Sequence, residues 1–201
     1  MRLLASRLCI DRGGRRILSD VSFELRSGLL IVTGPNGTGK SSLLRVLAGL
    51  LPPSDGSFAI DETDEDEGLP HYLGHRDGLK PQLTARENLA FAAGFLAGSA
   101  AGLDPVAALS MVGLDVAADV PAAWLSAGQK RRVALARLLV APRRLWLLDE
   151  PTTGLDSASV TRFEAMAAHH VAGGGLIVAA THLPLGLAAQ ELRLGLAPAS
   201  A

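Results

Sequence analysis

Leu29-Leu30-Ile31-Val32-Thr33-Gly34-Pro35-Asn36-Gly37-Thr38-Gly39-Lys40-Ser41-Ser42 is the stretch that decides how this chain is read. An apolar run ends in a glycine-rich turn, and the turn opens onto Leu43-Leu44-Arg45-Val46-Leu47-Ala48-Gly49. The pattern is G-x-x-x-x-G-K-S between a strand and a helix, the setting in which it cradles phosphate. Gly34, Gly37 and Gly39 let the backbone curl until successive N–H groups point inward at phosphate oxygens. The start of the helix adds the positive end of its dipole. Lys40 is placed to reach the β- and γ-phosphates, and the Ser41 hydroxyl to ligate Mg²⁺. Gly34, Pro35, Asn36, Gly37, Thr38, Gly39, Lys40, Ser41 and Ser42 are the expected nucleotide-contacting residues.

Working outward, residues 2–10 and the segment holding Val21, Phe23 and Leu25 read as two strands joined by a Gly13-Gly14 turn. Gly49 and Pro52-Pro53 stop the helix after the phosphate loop, and Gly56–Ile60 is a short strand. Six acidic side chains in Asp61 to Glu67 repel one another and read as an exposed loop. A short strand His71–Gly74 leads into a loop from His75 to Pro81. Thr84-Ala85-Arg86-Glu87 is a capping box opening a helix through about Ala97, and Asp104-Pro105 opens another from Val106 to Val112. A third helix runs from Ser126 to about Val140, stopped by Pro142. The strand Leu145–Glu150, a helix from about Ser157 to Val171, and the strand Leu176–Ala180 complete the pattern. Apolar strands separated by helices mean α/β architecture with a parallel sheet covered on both faces. No internal repeat is present.

At 201 residues this is one domain with a real core, and its helical insertion covers approximately residues 82–141. A net charge of -1 supplies no basic field for nucleic acid or anionic lipid. The short clusters at Arg12, Arg15 and Arg16, at Lys130-Arg131-Arg132 and at Arg143-Arg144 read as solvated surface. Cys9 is alone, so no intrachain disulfide forms, which suits a reducing compartment. Arg7 interrupts the N-terminus before an apolar signal core develops, so no leader is expected. Mean hydropathy is +0.28, high enough that a membrane span has to be examined. Asn88 to Leu103 is too short and carries three glycines and a serine, while Ala165 to Gln190 is broken by Gly173-Gly174-Gly175 and Pro184. Neither spans a bilayer. The excess apolarity points instead to a surface that docks on a partner.

Asp149 and Glu150 close the strand Leu145–Glu150 where ligands sit in such sheets, beyond the carboxyl ends of the strands. Asp149 is placed to hold Mg²⁺ through water, and Glu150 to polarise the water that attacks the γ-phosphate. Leu125-Ser126-Ala127-Gly128-Gln129-Lys130-Arg131 resembles the signature motif of ABC-transporter ATPases. Glu150-Pro151-Thr152-Thr153-Gly154-Leu155-Asp156 is similar to that family's Walker B exit and D-loop, and Thr181-His182 matches its switch histidine. The motifs occur in order and cover essentially the whole chain. The resemblance implies a P-loop NTPase of the ABC type, with a parallel-sheet core, an antiparallel β subdomain and an inserted helical subdomain. It implies ATP and Mg²⁺ as cofactors and a homodimer sandwiching two ATP molecules. Ser126 and Gly128 of one subunit would meet the γ-phosphate held by Lys40 of the other, with Asp156 nearby and His182 holding phosphate and attacking water. Lys40, Glu150 and His182 are the implied catalytic groups.

Within that superfamily the chain is most similar to ATP-binding subunits of cytochrome c biogenesis complexes, also called haem exporters. The resemblance rests on Gly74-His75, on Gly78-Leu79-Lys80-Pro81-Gln82-Leu83-Thr84-Ala85, and on Glu87-Asn88-Leu89. Ala127 within the signature and Thr181-His182-Leu183-Pro184-Leu185 extend it. It implies transmembrane partner subunits, a peripheral place on the cytoplasmic face of the bacterial inner membrane, and release of a haem-loaded chaperone. Another exporter engine for drugs, peptides or lipids shares these motifs. So do DNA-repair ATPases, though those carry a long coiled coil between the two Walker motifs. Cys9, His71, His75, His169 and His170 have ordinary structural readings rather than those of haem ligands. Two departures stand out. No aromatic residue near Arg12 is available to stack on adenine, leaving a guanidinium face as the candidate. The family's metal-contacting glutamine falls at Arg76 by one spacing and at His75 by another, and this keeps a non-hydrolysing nucleotide-binding module among the readings.

Overall fold

The computed structural model describes residues 1–61, 69–96 and 102–195. An antiparallel sheet of order β2-β1-β4 is built from β1 (Arg2–Arg12), β2 (Arg15–Leu25) and β4 (Asp55–Asp61). A five-stranded parallel sheet has the order β5-β6-β7-β3-β8. Its strands are β3 (Gly28–Thr33), β5 (His71–Leu73), β6 (Leu145–Asp149), β7 (Leu176–Ala180) and β8 (Ala189–Arg193). The helices are α1 (Lys40–Leu47), α2 (Ala85–Phe95), α3 (Pro105–Met111), α4 (Ala127–Val140) and α5 (Ser157–Ala172). The parallel core, the antiparallel sheet and these helices match the expected α/β class. The acidic run lies outside the described residues except for Asp61, which ends β4.

The continuous apolar strands are explained by two cores on opposite faces of one sheet. Along β6, Leu145 and Leu147 enter the core shared with α1 and the antiparallel sheet. Trp146 and Leu148 enter the other, packed by α2, α4 and α5. On β7, Leu176, Val178 and Ala180 face the first core, and Ile177 and Ala179 the second. Side chains alternate with period two, so burial on both faces demands an unbroken apolar run. β8 was not expected from the sequence. It lies parallel to β3 at the sheet edge, and most of its residues are exposed. Polar residues are therefore tolerated there, and no apolar signal marks it. Ala165 to Gln190, examined above as a span, instead holds the end of α5, β7 and the start of β8. Among the described residues, no helix is long and apolar enough to cross a membrane.

Two histidines pack against this sheet, His71 buried and His170 half-buried. His71 on β5 bonds the Ala141 carbonyl through Nε2, and His170 stacks on Trp146 with ring centroids 3.8 Å apart. Burial pushes both imidazoles down from 6.5 to about 4. Between these values the unfolded chain takes up protons that the folded chain refuses. Stability from these groups is therefore intact above the unfolded value and falls as pH drops toward about 4. The thermal midpoint should decline as pH falls from about 7 to about 4.5, and more shallowly in His71→Gln. An equally steep decline in the variant would assign the effect to other groups.

Candidate active site

The carboxyl ends of β3 and β6 open onto a cleft of about 380 Å³. It is lined by Arg12, Ile17, Asn36, Gly37, Gly39, Lys40, Ser41, Ser42, His75, Asp149 and Glu150. Gly39 caps the start of α1 at φ +94° and, as glycine, offers no side-chain cap. The first N–H groups of α1 are therefore left for a ligand. A Cβ at Gly39 would come within 2.7 Å of the Ile17 side chain, because the loop is pressed against β2. Gly34, at φ +137°, backs onto the Leu194 carbonyl just beyond β8. Thr38 is buried and its hydroxyl donates to the Pro35 carbonyl at 2.9 Å. Lys40 Nζ donates to the carbonyls of Gly34 at 2.7 Å and Pro35 at 3.1 Å, which draws its charge across the loop.

Asp149 is buried at the end of β6, in register with Ala180 of β7. Glu150 follows at φ +47°, a left-handed conformation that is strained for a side-chain-bearing residue. Its N–H donates to the Ala180 carbonyl at 2.8 Å, which turns the carboxylate off the strand and into the cleft. His182 Nε2 stands 3.9 Å from Glu150 Oε1, beyond hydrogen-bond length. The structure thus brings together the phosphate loop and both acids, while His182 stands beside Glu150 but lines a neighbouring pocket with Thr33 and Glu191 rather than this cleft.

Ser126, Gly128 and Asp156 do not line this cleft. Ser126 caps α4 in a capping box with Gln129: Gln129 N–H donates to Ser126 Oγ at 3.2 Å, and Ser126 N–H to Gln129 Oε1 at 2.8 Å. The Ser126-x-x-Gln129 spacing carried that signal in the sequence. Capping uses a lone pair of Ser126 Oγ and leaves its O–H as a donor. Asp156 caps α5, accepting from Ser159 N–H at 2.7 Å, and this bond holds its carboxyl below the usual range. Its carboxylate is thus engaged with the α5 backbone rather than with the cleft. Of the two glutamine-equivalent candidates, His75 lines the cleft, while Arg76 is exposed and outside its lining.

The sequence profile of the ABC transporter family matches residues 18–153, a span holding the phosphate loop, Ser126 and both acids. The chain belongs to the ABC transporter family.

Relatives named cytochrome c biogenesis ATP-binding export protein CcmA are similar over nearly their whole length. The Nitrobacter winogradskyi protein is 53% identical, covering 97% of this chain and 98% of that relative. The Mesorhizobium japonicum protein is 50% identical, covering 98% and 100%. An ABC transporter ATP-binding protein from Pyrococcus furiosus shares the fold at a TM-score of 0.80 and 19% identity, over 96% of this chain and 98% of that one. The chain is therefore an ATP-binding, ATP-hydrolysing ABC subunit.

Two features of the ABC signature follow from packing. Ala127 is exposed and carries its methyl group freely, whereas a Cβ at Gly128 would sit 3.0 Å from the Gly154 carbonyl. Alanine thus fits the first of the two positions freely, whereas at the second the Gly154 carbonyl would have to give way by a few tenths of an ångström. The expectation of a solvated Lys130-Arg131-Arg132 cluster is corrected by Arg131, which is 6% exposed. Its guanidinium is held by carbonyls at the end of β6 and by that of Gly74 just after β5. Neighbouring helix positions point about 100° apart, so a basic triplet need not share one environment.

Proposed function

We propose that this chain is the ATP-hydrolysing subunit of a cytochrome c biogenesis export complex. It works as an ATP-sandwiched homodimer, bound peripherally to transmembrane subunits at the cytoplasmic face of the bacterial inner membrane. The observation that carries this reading is 50% to 53% identity along nearly the whole length of relatives bearing that name.

In this reading Lys40 and the first N–H groups of α1 hold the β- and γ-phosphates. Asp149 and Ser41 both line the cleft and offer the hard oxygen donors that Mg²⁺ prefers, so the donor set fits that ion. When bound, the ion neutralises charge on the phosphate oxygens. Glu150 accepts the proton of the attacking water, and His182 orients the γ-phosphate beside it. Arg12 and Ile17, which line the same cleft, offer a flat cation and an apolar face to the base in place of an aromatic ring.

A groove of about 240 Å³ suits the transmembrane partner. It is lined by Leu79, Lys80, Asn88, Phe91, Phe95 and Arg137, among others. Phe91 and Phe95 stack at 5.9 Å, Lys80 Nζ lies 4.4 Å above the Phe91 ring, and Phe95 is 77% exposed. The buried Asn88 side chain accepts from Lys80 N–H at 2.8 Å and donates to the carbonyls of Leu83 and Thr84, so the groove wall is rigid before anything docks. An apolar floor with a cationic rim is suited to a short apolar segment of another subunit.

The test is affinity purification of the tagged chain from detergent-solubilised membranes of the source cell. The transmembrane subunits should co-purify, Phe95→Glu should release them, and cells lacking the chain should fail to mature c-type cytochromes. Normal cytochrome maturation without the chain would overturn the assignment.

A further inference from the structure

Arg131, in the second turn of α4, lies among segments far apart in sequence. A guanidinium has five N–H donors in a fixed plane, and here each one is matched. Nε donates to the Pro151 carbonyl at 3.1 Å. Nη1 donates to the Gly74 carbonyl at 3.0 Å and to Asp77 Oδ1 at 3.1 Å. Nη2 donates to the carbonyls of Asp149 at 2.7 Å and Glu150 at 2.8 Å. Three consecutive carbonyls converge on one cation because the backbone doubles back at Glu150, where φ is +47°. Conversely, the cation holds that turn in its strained form and thereby directs the Glu150 side chain into the cleft.

We propose that Arg131 is the positioning residue for Glu150. It holds the turn that presents the carboxylate and fastens it to the loop after β5, which brings His75 to the same cleft. The Asp77 carboxylate and the Gly74 carbonyl are the loop's side of that tie, and Arg137 Nη2 holds the Asp77 carbonyl at 2.8 Å from the other side. The two parts of the cleft that face the attacking water are therefore set relative to each other by one side chain of the signature helix. Lysine cannot replace it, because three donors on a flexible stem cannot meet five acceptors arranged in a plane.

The inference rests on Glu150 as the proton acceptor, and the experiment separates the two. ATPase kinetics and direct ATP titration are measured on the full chain purified with its transmembrane subunits. The variants are Arg131→Lys, Glu150→Gln and the double variant. Arg131→Ala would strand five acceptors at once, three of them buried, and risks unfolding the chain, so lysine is the informative change. In Arg131→Lys, kcat should fall about 10- to 100-fold, because small misplacements of a reacting group are costly. KM and titrated ATP affinity should stay within about twofold, since Arg131 holds no part of the phosphate loop. In the Glu150→Gln background the same change should cause no further loss, because the group it positions is already gone. Multiplicative losses, an unchanged kcat, or a parallel fall in ATP affinity would each overturn the positioning role. Intact turnover in Glu150→Gln alone would instead overturn Glu150 as the acceptor.

Discussion

Lys40→Ala should lose ATP affinity by about tenfold or more and lose turnover further still. The ammonium group is the charge the chain places closest to the phosphate loop, and it already bonds the Gly34 and Pro35 carbonyls across that loop. Hydrogen bonds from a charged donor contribute about 1.5–3 kcal/mol, equivalent to roughly 10- to 150-fold in binding. The γ-phosphate gains charge separation during transfer, so the effect on kcat should exceed that on affinity. The fold should persist, because α1 is anchored by buried Leu43, Leu44, Val46 and Leu47 rather than by Lys40. Titration with a fluorescent ATP analogue beside a thermal melt checks this. Unaltered affinity at an unaltered melting point would remove Lys40 from the site.

Glu150→Gln is the second large effect. Loss of a general base typically costs about 10²- to 10⁴-fold in rate, and glutamine preserves shape while removing proton affinity. The left-handed backbone at Glu150 is maintained by its N–H bond to Ala180 and by Arg131, neither of which uses the carboxylate. ATP binding should therefore survive, and the unhydrolysed nucleotide should hold two subunits together. Size-exclusion chromatography with light scattering should show a dimer in ATP and Mg²⁺ and a monomer without them. Adding Ser126→Arg should abolish that dimer, since Ser126 stands at an exposed helix start outside its own cleft. A dimer that ignores Ser126→Arg would place the contact elsewhere.

Much of the site was legible because its chemistry is local. A phosphate loop is a run of adjacent residues whose backbone does the binding, so spacing alone carries Gly34 to Ser42. The acids were legible for a related reason: Asp149 and Glu150 end a fully apolar strand, and ligands gather at that end of a parallel sheet. Helix starts were equally open to reading, since Thr84 and Asp104 cap through side chains two or three residues from their partners.

Strand order, by contrast, is not written in interchangeable apolar runs. Nothing in Leu145–Asp149 or Leu176–Ala180 states that β7 separates β6 from β3, yet that order sets the distance between phosphate loop and acids. β8 stayed hidden because an exposed edge strand needs no apolar pattern, although it ends beside Gly34. The choice between His75 and Arg76 was open because neighbouring loop residues differ only in direction, which the sheet and α4 fix together. Arg131 is the clearest case. By sequence it is one arginine in a basic triplet on a helix; its environment is created by carbonyls of Gly74, Asp149, Glu150 and Pro151. The sequence by itself therefore determined the phosphate-binding loop and the α/β class, because each depends on neighbours along the chain. The tertiary structure alone decided which groups face one another across the cleft, because those contacts are made by residues that only the packed sheet brings together.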